Sequence, residues 1–314
     1  MKKIKYSVVV AAYNEEESLP LFFSKVIPLM ETLGETFEII VVNDGSGDKT
    51  EEILAARCAE DKRVKGINFS RNFGQQAALL AGLEECCGEA VIVMDADLQD
   101  PPEVAIEMIE KYKEGYDIVH GRRKKRPGES VFKKVTARAY YRFIHRISNP
   151  KVPENVGDFK LYSRRAVNAI LSLPERNRLI RAQAAWVGFR QTFVEFDRPA
   201  RAVGETKYTL KKMVKLASDG IISNSYYPLY LSLKAGIFLG VISAAAFVTF
   251  IILALCRVYL PLAAWLFPTV TVLFAIHLTI KGLTDIYTAR IYDEVKGRPA
   301  YVIKDKLNCE KDHD

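Results

Sequence analysis

The chain has little with which to build a covalently stapled or metal-locked fold. Its five cysteines are scattered through 314 residues, Cys86 and Cys87 are adjacent, and no C-x-x-C pair occurs. That spacing indicates neither a zinc site nor a disulfide framework, and free thiols fit a reducing compartment. His120, His145 and His277 have no ligand spacing and are read as structural. No G-x-G-x-x-G opens the first helix and no Walker pattern occurs, which disfavours a Rossmann dinucleotide site and a P-loop. No internal repeat or low-complexity segment is present. No long apolar region follows Met1-Lys2-Lys3-Ile4-Lys5, so no signal peptide is expected.

What is present is a basic balance, 45 Lys and Arg against 38 Asp and Glu for a net charge of +7. It implies an anionic partner without choosing among nucleic acid, a phosphate-bearing substrate and a membrane surface. The first two-thirds alternate short apolar runs with amphipathic ones. Strands are predicted at Tyr6–Ala12, Phe37–Asn43, Val64–Phe69, Val91–Met94 and Ile118–His120. Helices are predicted from Glu15 to about Leu33 (broken or kinked by Pro20 and Pro28), from Asp48 to about Asp61, at Gln75–Cys87 and at Pro102–Lys113. Such alternation implies an α/β fold with a parallel sheet and right-handed crossovers. A basic loop, Arg122 to Gly128, opens a mixed segment with helices expected near Val131–Ile147, Arg164–Leu171 and Arg176–Val187 and a strand over Arg190–Phe196.

The last third differs. Thr209 to Leu233 is amphipathic, and Ala235–Cys256 and Leu260–Ile280 carry no charge. About 20 such residues span a bilayer, so the pair reads as a transmembrane helical hairpin with Arg257-Val258-Tyr259 as its turn. Lys211, Lys212, Lys215 and Lys234 before it and Lys281 and Arg290 after it put both ends on the cytoplasmic side of the inner membrane. The residues before the first span then form interfacial helices on that leaflet. The expected organisation is a catalytic domain over 1–208, juxtamembrane helices over 209–234, two spans within 235–281 and a cytoplasmic tail with a short strand over 282–314.

Several strand ends carry chemistry. Asp95 and Asp97 follow an apolar run one residue apart, at the carboxyl end of a strand, where open α/β sheets hold ligands. Strand alternation points them the same way, so they can share one divalent cation; the alternative is an acidic turn at a solvated strand end. Asp44, after the second strand, suits a base N–H or a ribose hydroxyl, or is an ordinary turn residue and helix cap. Arg122 can fork onto phosphate oxygens. Together these describe a site for a nucleoside diphosphate with a metal, Mg2+ or Mn2+. Lys133, Lys134 and Arg138, on the helix after the basic loop, suit either a lipid phosphate or a solvated basic face.

Val9-Val10-Ala11-Ala12-Tyr13-Asn14-Glu15-Glu16, Val41-Val42-Asn43-Asp44-Gly45-Ser46 and Asp95-Ala96-Asp97-Leu98-Gln99-Asp100-Pro101-Pro102-Glu103 resemble the marks of glycosyltransferase family 2, with its GT-A fold. Val156-Gly157-Asp158-Phe159-Lys160-Leu161, Gly204-Glu205-Thr206-Lys207-Tyr208 and two carboxyl-terminal spans narrow the resemblance to the polyprenyl-phosphate glycosyltransferases, which include dolichyl-phosphate mannose synthases and the bacterial GtrB type. The resemblance implies that Tyr13, Glu15 and Asp44 hold the nucleoside, with Ala12 and Ala96 in the same substrate site. Asp95, Asp97 and Gln99 would hold the metal and diphosphate, Arg122 a phosphate, and Lys207 would close over the donor. Trp186 would line the pocket. Asp158 would lie near sugar and acceptor, as a general base or as an orienting or charge-stabilising group, and Asp97 would serve catalysis through the metal.

The implied reaction is transfer from a nucleotide sugar, UDP-glucose first, to polyprenyl (undecaprenyl) phosphate at the lipid bilayer, with inversion. GDP-mannose is the alternative donor, and a non-catalytic nucleotide-sugar-binding membrane scaffold is the rival of another class. Nucleic acid is not an expected partner. The resemblance also implies a homotetramer whose tail strand, over Lys296–Ile303, pairs with a neighbouring subunit.

Overall fold

The protein is described by a computed structural model over residues 3–124, 156–175, 179–197 and 262–309, with positions 249 and 255. It forms two compact units: Met1–His145, Asn149–Met213 and Pro299–Asp314 in one, and Arg146–Ser148 with Val214–Arg298 in the other. The tail after Pro299 thus belongs to the first unit, which the sequence reading ended at residue 208.

The first unit is built on one eight-stranded sheet. Its strands are β1 (Tyr6–Ala12), β2 (Phe37–Asn43), β3 (Val64–Phe69), β4 (Ala90–Asp95), β5 (Ile118–Arg123), β6 (Val156–Ser163), β7 (Gln191–Phe196) and β8 (Ile303–Leu307). Their spatial order is β7-β5-β6-β4-β1-β2-β3-β8. The central β3, β2, β1 and β4 are parallel, and β5 pairs parallel with β7. β6 enters antiparallel between β4 and β5, and β8 closes the far edge antiparallel to β3.

Helices α1 (Ser18–Glu31), α2 (Thr50–Glu60) and α4 (Pro102–Lys113) cover one face, and α3 (Gln75–Glu85), α5 (Arg164–Leu171) and α6 (Ile180–Trp186) the other. With both faces covered, the strands read as continuous apolar runs rather than alternations. Val8 and Val10 face the α1 side and Val9 the α3 side, and none is more than 1% exposed. On α1, Leu19, Phe22, Val26 and Met30 are buried, each worth roughly 1.5–3 kcal/mol against exposure. Pro20 sits in the first turn, where its missing N–H is no loss. Pro28 lies within the helix, which runs on to Glu31, so neither proline breaks it.

The strand β6 was not anticipated as a strand. α6 is shorter than the predicted Arg176–Val187, and residues 176–178 lie outside the description. The helix expected at Val131–Ile147 with Lys133, Lys134 and Arg138, the turn bearing Lys207, the juxtamembrane helices and, apart from Thr249 and Leu255, the first uncharged run also lie outside the described residues.

The second uncharged run falls in α7 (Leu262–Lys296), in the second unit. α7 continues past Ile280 into charged sequence and exposes Leu266, Val270 and Leu273. Among the described residues, no helix is long and apolar enough to cross a membrane, so the predicted hairpin is not an element of the described fold. β8 corrects a second expectation. It runs over Ile303–Leu307 and pairs with β3 of its own chain, so that sheet edge is covered from within.

Candidate active site

The strand order reverses between β4 and β1, the switch point at which open α/β sheets bind ligands beyond their carboxyl ends. The loops there meet through side chains. Asn14, at φ 55° after β1, donates its N–H to Ser46 Oγ (2.9 Å) and accepts from Gly47 N–H through Oδ1 (2.8 Å). Glu15 N–H donates to Thr50 Oγ1 at 2.8 Å, and Tyr13 projects 42% exposed beside this junction. Ala12 is buried, and its carbonyl accepts from Asp44 N–H at 2.9 Å.

Asp44 is itself only 3% exposed. Its Oδ1 accepts from Phe73 N–H at 2.7 Å, and Oδ2 accepts from Gly74 N–H and Asn72 Nδ2, both at 2.9 Å. Burial raises its carboxyl above the ordinary range, against those two backbone bonds and Arg71. The residue predicted to meet the nucleoside therefore fastens the loop after β2 to the loop after β3.

Asp95 ends β4, and Asp97 belongs to the turn that follows. Strand alternation therefore does not orient this pair, although the charge of Asp97 acts on Asp95. Leu98 adopts φ 55° in that turn, Ala96 is buried beside it, and Asp97 Oδ1 accepts from Gln99 N–H at 3.1 Å. Asp95 Oδ1 accepts from Gln75 Nε2 at 2.9 Å. The antiparallel register pairs Val93 with Lys160; two residues further along, Asp95 and Asp158 share one end of the strand pair. Asp158 Oδ2 accepts from Gln76 Nε2 and Arg181 Nη2, each at 3.3 Å. Its Oδ1 is buried with no hydrogen-bond partner among the described residues.

Burial, then the charges of Asp100, Asp158 and Asp97, push the Asp95 carboxyl up to about 8, while Arg123 opposes them. Arg123 Nη2 stands 3.7 Å from Asp100 Oδ1. Arg122, the predicted phosphate contact, points elsewhere: its guanidinium lies 3.6 Å from the Phe193 ring centroid and 3.7 Å from Glu195 Oε1, both on β7. Successive side chains at a strand end point to opposite faces, and the pairing shifts between His120 and Arg122. Arg123 is the arginine brought to the carboxylates.

A carboxylate cluster crowded enough to raise Asp95, with one carboxylate oxygen left unpartnered, fits a bound cation. No three His, Cys, Asp or Glu side chains among the described residues form a closed metal group. The donor set therefore suits a magnesium-like ion held by one or two carboxylates, with phosphate oxygens completing its shell.

A family model, glycosyl transferase family 2, matches residues 7–171. The chain belongs to that family. An uncharacterized glycosyltransferase, YkcC, of Bacillus subtilis (strain 168) is 42% identical, covering 98% of this chain and 96% of its own. A prophage bactoprenol glucosyl transferase homolog of Escherichia coli (strain K12) is 39% identical over 96% of this chain and 99% of its own. The bactoprenol glucosyl transferase of Shigella phage SfII is 40% identical over 96% and 98%. Glucosyl-3-phosphoglycerate synthase from Mycobacterium tuberculosis, solved with Mn2+, UDP-glucose and phosphoglyceric acid, aligns with a TM-score of 0.50 at 18% identity, covering 70% of this chain and 78% of that one. It shares the GT-A-like α/β fold.

Within this family-2 domain, sequence reasoning missed Gln75 and Gln76 in the first turn of α3, Arg123, and a buried pair beneath the site. Lys160 is fully buried, and its Nζ has no hydrogen-bond partner among the described residues. Burial pushes it down to about 7, with Asp158 opposing and Arg181 reinforcing that shift. His120 pairs across from it on β5, its Nε2–H donating to Gln191 Oε1 at 2.7 Å. Burial and the neighbouring Lys160 hold His120 down to about 3. Trp186 lies 60% exposed at the carboxyl end of α6, the helix from which Arg181 reaches Asp158.

Proposed function

We propose that this family-2 protein is a membrane-anchored inverting hexosyltransferase that moves a sugar from a nucleoside-diphosphate donor, UDP-glucose, to polyprenyl phosphate. The observation that carries the reading is the cluster of Asp95, Asp97, Asp100 and Asp158 at the sheet's switch point, beside Arg123 and Arg181. Relatives named bactoprenol glucosyl transferases, similar over nearly the whole chain, support the acceptor class and the sugar.

Asp95 and Asp97 would hold a magnesium or manganese ion, with Gln99 beside them in the turn; when bound, such an ion would supply positive charge against the departing diphosphate. Arg123 adds a fixed positive charge at the same end of the sheet. Asp158, held by Gln76 and Arg181, presents Oδ1 to positive charge developing at the anomeric carbon, as carboxylates do for oxocarbenium-like centres. A phosphomonoester has a second pKa of about 6, so the acceptor arrives as a dianion and requires no base. Its oxygen attacks the anomeric carbon as the diphosphate leaves from the opposite side, which inverts the centre.

A lipid-borne acceptor calls for membrane attachment. The uncharged runs Ala235–Cys256 and Leu260–Ile280 and the exposed Leu266, Val270 and Leu273 of α7 support it, with the catalytic unit on the cytoplasmic side. Retention of the protein in membranes through alkaline extraction is the expected result, and its release would remove the anchor. A homotetramer, the assembly the resemblance implies, is tested by its mass in detergent.

The central experiment incubates the full chain with undecaprenyl phosphate, Mn2+ and radiolabelled UDP-glucose or GDP-mannose. Label from UDP-glucose enters the organic phase, and EDTA prevents it. Label from GDP-mannose alone would substitute a mannose synthase. Donor binding without transfer would leave the scaffold.

A further inference from the structure

A line of side-chain hydrogen bonds runs from the tail strand into the loop after β2. β8 pairs Asp305 opposite Asn68 of β3, and the extra residue Lys304 is accommodated by a register shift beyond it. Asn68 Nδ2 donates to Asp305 Oδ1 at 2.7 Å. Asn68 Oδ1 accepts from Asn43 Nδ2 at 2.9 Å. Asn43 Oδ1 accepts from Ser46 N–H at 3.1 Å, and Ser46 Oγ accepts from Asn14 N–H at 2.9 Å. Both asparagines are buried, 0% and 2% exposed.

The order of donors and acceptors in this line is forced. An ionised carboxylate only accepts, so Asp305 turns the Asn68 amide with nitrogen toward the tail and oxygen toward β2. That orientation in turn fixes the Asn43 amide with its oxygen toward the Ser46 N–H. A reversed Asn68 would set its oxygen against Asp305 Oδ1 and its nitrogen against Asn43 Nδ2, and a reversed Asn43 would set its oxygen against Asn68 Oδ1 and its nitrogen against the Ser46 N–H. In a buried position either mismatch leaves polar groups unsatisfied.

We propose that Asp305 is a positioning residue for the nucleotide-sugar site, setting the Asn43–Gly47 loop through Asn68 and Asn43. This rests on the reading of that loop as part of the donor site. The tail is thereby a working part of the first unit rather than only a cover for its edge. Its other fasteners do not touch the line: Lys304 pairs with Glu51, Lys306 with Glu85, and Tyr301 stacks on Phe69 at 4.8 Å.

The test compares full-length wild type with Asp305→Ala, Asp305→Asn and Lys306→Ala. UDP binding with Mn2+ is measured by calorimetry, and exchange of the Ser46 and Gly47 amide protons is measured without ligand. Asp305→Ala is expected to weaken UDP about tenfold, the scale of a lost charge-assisted bond, and to speed exchange at Ser46. Asp305→Asn, which still accepts through its amide oxygen, stays within about twofold of wild type, and Lys306→Ala, which only loosens the strand, does likewise. Unchanged Ser46 exchange in Asp305→Ala, or an equal loss in Lys306→Ala, would overturn the proposal. Wild type that binds neither UDP nor GDP would instead remove the nucleotide reading, and the exchange comparison would still decide whether Asp305 sets the loop.

Discussion

Arg181 Nη2 donates to Asp158 Oδ2 at 3.3 Å, joining α6 to β6 at the end of the sheet where Asp95 lies. Gln76 shares the same oxygen from α3, so three elements converge on one carboxylate and leave its Oδ1 free of protein partners among the described residues. This arrangement orients a charge. Arg181→Ala is expected to lower kcat about tenfold, within the range for losing a hydrogen bond to a charged group, while the KM for UDP-glucose changes much less. Arg181→Lys restores part of kcat. Equal loss in KM and kcat for both variants would assign Arg181 to donor binding.

Asp95 carries a stability penalty that binding would relieve. A carboxyl in the unfolded chain titrates near 3.9, and that of Asp95 in the fold near 8. Between these values the folded state holds a proton that the unfolded state has lost, so stability falls as pH rises from about 4 to about 8. Asp95→Asn removes the penalty, and its amide oxygen still accepts from Gln75. At pH 7.5 the ligand-free variant is expected to melt about 2–4 °C higher, the shift given by about 1 kcal/mol in a domain of this size. It is also expected to lose manganese-dependent donor binding. A lower melting temperature in differential scanning calorimetry would contradict the crowding of the carboxylates.

The parts of this site that sequence reveals are those whose neighbours repeat a simple pattern. β1, β2, β3 and α4 occupy the predicted residues because predominantly apolar short runs, the turn residues that follow them and Pro102 mark their ends. β6 escaped because Gly157, Asp158 and Lys160 interrupt its apolar pattern, and a lysine that is fully buried defies its usual exposure. The identity of the inward arginine depends on one register shift in β5, which composition does not encode. β8 alternates Ile303, Lys304, Asp305, Lys306 and Leu307, the charged pattern of an edge strand; its partner, β3, is distant in sequence and became visible only in the fold.

Lys160 gives the opposite pH dependence to Asp95. Its unfolded value is near 10.4 and its folded value about 7. Below about 7 both states hold the proton and the buried charge opposes folding in full. From about 7 to about 10 the folded state has released it first, and stability rises with pH. Lys160→Met, which fills similar space without a charge, is expected to flatten this slope and to stabilise the protein at pH 6.5 by on the order of 1 kcal/mol. Urea unfolding at pH 6.5 and pH 9 measures both effects. A slope retained in the variant would assign it to other groups.

Gly45 sits where the loop after β2 touches the loop after β3. Its φ is +64°, and an added Cβ would lie 2.3 Å from the Arg71 carbonyl carbon and 2.6 Å from the Asn72 nitrogen. Both obstacles are backbone, so no side-chain rotation relieves them, and the left-handed conformation adds its own strain. The adjoining Asp44 carboxylate holds the Phe73 and Gly74 N–H groups, so the two loops must separate together. Gly45→Ala is therefore expected to cost about 1–3 kcal/mol of stability and to weaken UDP binding at least about tenfold, beyond the effect of the removed tail carboxylate because it displaces the loop itself. Calorimetric titration with UDP and Mn2+ checks this. Wild-type affinity in a folded Gly45→Ala protein would mean that the nucleotide does not bind against this loop.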